Sequence, residues 1–86
     1  MIEHVNNLVG LQNSGNELLQ TSATLILEQW NKFATGLILR EEFCIEVDKV
    51  WTPEKNQELI DSGADGRLIH FANFVFNGIK DQNLDL

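Results

Sequence analysis

Hydrophobic residues recur along the middle of this chain at alternating intervals of four and three: Leu19, Ala23, Ile26, Trp30, Phe33 and Leu37, then, past Arg40, Cys44, Val47 and Trp51. This spacing sets the side chains in a heptad seam along one side of a helix. Unbroken, the series predicts one central helix over about residues 15–51, roughly 54 Å long at 1.5 Å per residue. Its weak point is Thr35-Gly36, where a glycine can end a helix and release Phe43 to Val47 as a strand. Because the seam keeps its phase across Gly36, the continuous helix is the expected form, and an α+β fold with a break at Gly36 is the alternative.

The flanking pattern supplies shorter elements. Ile2, Val5 and Val9 fall at helical spacing, but Gly10 and the run Gln12-Asn13-Ser14-Gly15-Asn16 interrupt it, so residues 1–14 are expected to form an arm or short helix. Ser14 and Glu17 have the spacing of a capping box, which predicts that the central helix starts near Gly15. Thr52-Pro53-Glu54 stops one helix and starts another, with Thr52 as cap and proline in the first helical position. That helix should run to about Ser62 and be closed by Gly63. Asp65 then caps a last helix from Gly66 to Asn77, ended by Gly78. Residues 80–86 read as a frayed tail, and the whole of 1–86 as one helical domain.

On a wheel of about 100° per residue, the central helix carries two further apolar stripes beside the seam. One holds Leu27, Ala34, Ile38 and Ile45, the other Leu18, Leu25, Leu39, Phe43 and Val50. Only Thr24, Glu28, Asn31, Thr35, Glu42, Glu46 and Lys49 face water. A rod apolar over most of its circumference needs cover, and the remaining residues, largely loops and polar faces, are too few to give it. A small all-α bundle completed by dimerisation is therefore expected; the competing arrangement is a chain that breaks near Gly36 and folds back as a monomer. In the last helix Leu68, Ile69, Phe71, Ala72, Val75, Phe76 and Ile79 share a broad face, whereas Phe74 points the other way, beside His70, Asn73 and Asn77. It is either a partner anchor or a single apolar residue, exposed or covered by the N-terminal arm.

Charge narrows the functions. The net charge is -7, and the six cations, Lys32, Arg40, Lys49, Lys55, Arg67 and Lys80, are scattered singly. With no basic stripe to displace counterions, direct nucleic-acid binding and adhesion to anionic membranes are not expected. Unbroken apolar runs are at most three residues long, far short of the roughly 20 a membrane helix requires. The single cysteine forbids an internal disulfide, and the start Met1-Ile2-Glu3-His4 lacks a cationic region followed by an apolar one, which makes a cytoplasmic protein the expectation.

Candidate chemistry is thin. Asp61-Ser62-Gly63-Ala64-Asp65-Gly66 has the glycine of a calcium loop, but Gly63 and Ala72 stand at loop positions 3 and 12, where oxygen ligands belong. Cys44 and His70 have no marked oxyanion donors or orienting group, and Cys44 lies on the seam, where a cysteine packs as a small hydrophobe. His4 and His70 lack a second ligand one turn away. Glu42 and Glu46 fall on the wet strip with Lys49, a setting for solvated ion pairing. No glycine-rich phosphate loop occurs. Neither an enzyme, a cofactor nor a metal is expected. The expected function is protein–protein interaction as a small regulator, inhibitor or adaptor, acting as a homodimer on a protein partner. Trp30, Phe33, Leu37, Ile38, Phe43, Trp51, Phe71 and Phe74 are the candidate contacts. The alternatives are an acidic nucleic-acid mimic, with Glu41, Glu42, Glu46, Asp48, Glu54, Glu58 and Asp61 as its phosphate track, and a small secretion-type chaperone.

Overall fold

At Gly36 the backbone turns to φ +81°, a left-handed conformation that a helix cannot pass through. In the computed structural model of the chain, which describes residues 2–80, this turn divides the expected central helix in two. Among the described residues the order is α1 Ile2–Gln12, α2 Glu17–Ala34, α3 Arg40–Val50, α4 Pro53–Asp61 and α5 Gly66–Lys80. The end of α2 is a Schellman motif: the Gly36 amide donates to the Phe33 carbonyl at 3.1 Å and the Leu37 amide to the Lys32 carbonyl at 2.8 Å. The break foreseen as the weak point is thus real, but Phe43 to Val47 are helical, and no strand occurs among the described residues. The continuous helix over 15–51 is corrected by that glycine, and the longest principal extent of the fold is 38 Å, too short for a rod of roughly 54 Å.

The other boundaries follow local chemistry. Thr52 Oγ1 accepts from the Lys55 amide at 3.2 Å, with Pro53 opening α4. Gly63, at φ +80°, closes α4, and its amide donates to the Ile60 carbonyl at 3.1 Å. Asp65 Oδ1 accepts from the Arg67 amide at 2.8 Å, capping α5 as expected. Three expectations shift. Asn16, not Ser14, caps α2: its Oδ1 accepts from the Leu19 amide at 3.1 Å, while Ser14 Oγ accepts from the Asn16 amide at 3.4 Å. Gly15, at φ +82°, is the turn before the helix. The last helix runs through Gly78, in its last described turn, to Lys80. The tail expected over 80–86 lies outside the described residues, apart from Lys80 at the end of α5.

The core draws on every helix: Leu8 and Leu11 from α1, Leu19, Ala23, Ile26 and Trp30 from α2, Phe43, Cys44 and Val47 from α3 with Trp51 just beyond, Leu59 from α4, and Ala72, Val75, Phe76 and Ile79 from α5. Helix α1 packs on α2 and α5, α2 on α3, α3 on α5, and α4 on α5. Gln12 Nε2 donates to Thr24 Oγ1 at 2.9 Å, tying α1 to α2. Leu8 and Leu11 are buried and Val5 is half-buried against the core, while Val9 of the expected series is exposed. Every seam residue except Leu37 is buried or half-buried, and folding back also shelters Leu27, Ile38, Leu18, Phe43 and Val50. The chain itself supplies most of the cover that a continuous rod would have sought from a second copy.

A candidate protein-binding surface on the last helix

Of the eight residues expected to meet a partner, three are interior. Trp30 meets Phe33 and Phe43 edge to face, with ring centroids 5.7 and 5.8 Å apart. Trp51 stacks on Phe76 at 4.4 Å. Trp30, Phe43 and Trp51 are buried within the chain, which removes them as surface contacts. The turn at Gly36 brings Phe43 against Trp30, while α5 covers Trp51 through Phe76. Phe33, Ile38 and Phe71 are half-buried against the core.

Leu37 and Phe74 stand in solvent, 75% and 65% exposed. Leu37 belongs to the α2–α3 turn, where Leu39 is also exposed. Glu42 Oε1 accepts from the Leu39 amide at 3.3 Å, so a leucine occupies the cap of α3 without contributing a side-chain hydrogen bond. Ile45 is exposed too, but by helical spacing it lies among Glu41, Glu42, Asp48 and Lys49. Leu39 and Ile45 are absent from the expected contacts, although on the helical wheel Leu39 shares a stripe with Phe43 and Ile45 with Ile38.

Phe74 has different surroundings. Helix α5 contains no Asp or Glu from Gly66 to Lys80, whereas α2, α3 and α4 each carry carboxylates on their outer faces. Around Phe74 lies an open hollow of about 400 Å³ lined by His70, Asn73, Asn77 and Gly78 together with the ring itself. A second hollow of about 240 Å³ adjoins it through Asn73 and Asn77 and reaches Trp51, Pro53 and Asn56. Asn73 Nδ2 donates to Asn56 Oδ1 at 2.8 Å and to the Ile69 carbonyl at 2.9 Å, which fixes the floor shared by the two hollows. The N-terminal helix covers Phe71, not Phe74: a Cβ added at Gly10 would sit 3.9 Å from the Phe71 ring. Among the described Phe and Trp residues, Phe74 is the one whose ring is exposed.

The groups considered for catalysis have structural settings. Burial pushes the Cys44 thiol above its ordinary range, with Asp48 and Glu41 adding to the effect and Arg40 opposing it. The thiol is thereby held protonated, the reverse of an activated nucleophile. Asp61 accepts from Gln57 Nε2 at 2.9 Å, and Asp65 caps α5, so the would-be calcium loop is a pair of helix ends. Glu46 pairs with Lys49 at 3.3 Å on the surface. Among the described residues no three His, Cys, Asp or Glu side chains are grouped to hold a metal, and no helix is long and apolar enough to cross a membrane. Another open hollow, about 490 Å³ between the start of α2 and α4, is lined mainly by Asn16, Glu17, Thr21, Lys55 and Glu58 around Leu18. Comparison with protein-family models, with curated proteins and with solved structures gave no match.

Proposed function

We propose that this chain is a non-enzymatic protein-interaction module, a small regulator or adaptor that engages other proteins through the outer face of α5 with Phe74 as its anchor. The observation that carries this reading is the 65% exposure of an aromatic ring on a helix free of carboxylates, in a chain of net charge -7. Large aromatics seated in a partner's pocket dominate interface energies, and burying one ring contributes roughly 1.5–3 kcal/mol. The absence of carboxylates along the helix matters because such groups beside the ring would have to be desolvated with it. Nucleic-acid mimicry is the weaker reading, since the acidic face of α3 has Ile45 at its centre and Lys49 beside it.

A photo-crosslinking amino acid in place of Phe74, in cells expressing the chain, tests the proposal. Discrete protein adducts are expected from position 74, suppressed by excess unmodified chain but not by excess Phe74→Ala chain. The same label at Glu54, exposed on α4, should give none of them. No adduct at 74, or identical adducts from both positions, would overturn the reading.

A further inference from the structure

We infer that, when no other protein occupies it, the α5 face is filled by a second copy of this chain, related by a two-fold axis passing between Phe74 and Gly78. The inference rests on the reading of that face as a docking surface and names its occupant. The first argument is shape. A two-fold contact requires a patch complementary to itself, with projection and recess on the same surface. Here the projecting Phe74 ring stands beside a hollow of about 400 Å³ that Gly78, one helical turn on, helps to line. A cavity of roughly 150 Å³ holds a benzene ring, so the hollow has room for the other copy's side chain.

Gly78 supplies the second argument. A glycine is a poorer helix former than alanine, and Gly78 stands in the last described turn of α5 without ending it. What it permits is close approach of another group. Antiparallel pairing of two α5 helices lays each Phe74 over the opposite Gly78, which lines the hollow.

Charge is the third. Two chains of net charge -7 repel, and the least repulsive contact is one that keeps their carboxylates apart. Alone among the described helices, α5 has none along its length. The pairing should therefore strengthen as salt screens the remaining repulsion, opposite to the behaviour of a complex held by ion pairs.

Light scattering of the purified chain over a dilution series tests this. The mass is expected to rise from 9.8 kDa toward twice that value with concentration, and at lower concentration as salt is added. Phe74→Ala, which leaves a hollow without its ring, and Gly78→Leu, which fills the hollow, should each hold the mass at 9.8 kDa while keeping the helical circular dichroism of the parent. An equimolar mixture of the two variants should associate again. One chain then brings the ring and the other the open hollow, while at the second contact the introduced leucine side chain meets the space left by the truncated ring. A constant mass for the parent chain, or association unaffected by Phe74→Ala, would overturn the inference. Adducts from position 74 to other proteins, with a monomeric purified chain, would overturn self-association alone and leave the docking surface standing.

Discussion

The ring of Phe33 on α2 lies flat against that of Phe43 on α3, centroids 5.5 Å apart and planes within 11° of parallel, with Trp30 edge-on to both. This stack closes the α2–α3 hairpin on its inner side, while Leu37 and Leu39 of the turn stay exposed. Phe43 is fully buried and Phe33 half-buried. Phe43→Ala is expected to lower stability by about 3–5 kcal/mol and Phe33→Ala by clearly less. A double-mutant cycle should leave about 0.5–1.5 kcal/mol of coupling beyond the separate losses. Urea midpoints at constant slope measure all three, and Phe43→Leu serves if the alanine variant does not fold. Equal losses at the two positions would contradict the packing described.

Gly36→Ala distinguishes the hairpin from a continuous helix. With φ at +81° and nothing within 4 Å of an added Cβ, the substitution meets no steric neighbour and only backbone strain. The expected loss is about 1–2 kcal/mol. Were residues 17–50 a single helix in solution, the same change would stabilise by about 1 kcal/mol. The sign of the shift in the unfolding midpoint decides.

These two sites also mark how far the sequence can be read by itself. Seam residues such as Leu19, Ile26, Val47 and Trp51 are interior, as their spacing requires, and the punctuation at Thr52-Pro53, Gly63 and Asp65 is local chemistry that the fold reproduces. Unbroken phase across Gly36 suggests a continuous helix, but phase shows only that two segments each turn an apolar side to a core. Two helices folded around one core satisfy it equally, and the left-handed turn at Gly36 carries the decision. The same step explains the surface. With the helix broken, Trp30, Phe43 and Trp51 find partners inside the chain, and the exposed aromatic that remains among the described residues is Phe74 on α5. Phe74 is legible because it falls off the apolar phase of its own helix. The recess beside it is not, since Gly78 reads in sequence only as a helix terminator.

The start of α2 offers a smaller contrast. Asn16 Oδ1 accepts from the Leu19 amide, whereas Ser14 contacts only the turn before the helix. Asn16→Ala is expected to cost about 1 kcal/mol, and Ser14→Ala no more than roughly 0.5 kcal/mol. Thermal or urea unfolding of both variants gives the order. The reverse order would restore Ser14 as the cap.

Cys44 is the last test, and its sign follows from burial. The folded chain holds the thiol above its ordinary value of 9.0, chiefly because the thiolate is disfavoured inside, with Asp48 and Glu41 raising it further against Arg40. A group whose pKa is raised by folding contributes its full share of stability below the unfolded value. That share is lost as pH rises from the unfolded value through the folded one, because the unfolded chain ionises first. Stability of the parent chain should thus fall in alkaline solution above pH 9.0, and a Cys44→Ala variant should fall less steeply over the same window. At a pH of about 8, below the ordinary thiol range, an aromatic disulfide reagent should modify the native thiol many-fold more slowly than in urea, since the thiolate is both scarce and enclosed. Equal rates in the two conditions would show Cys44 to be open to solvent and remove the burial on which the alkaline prediction depends.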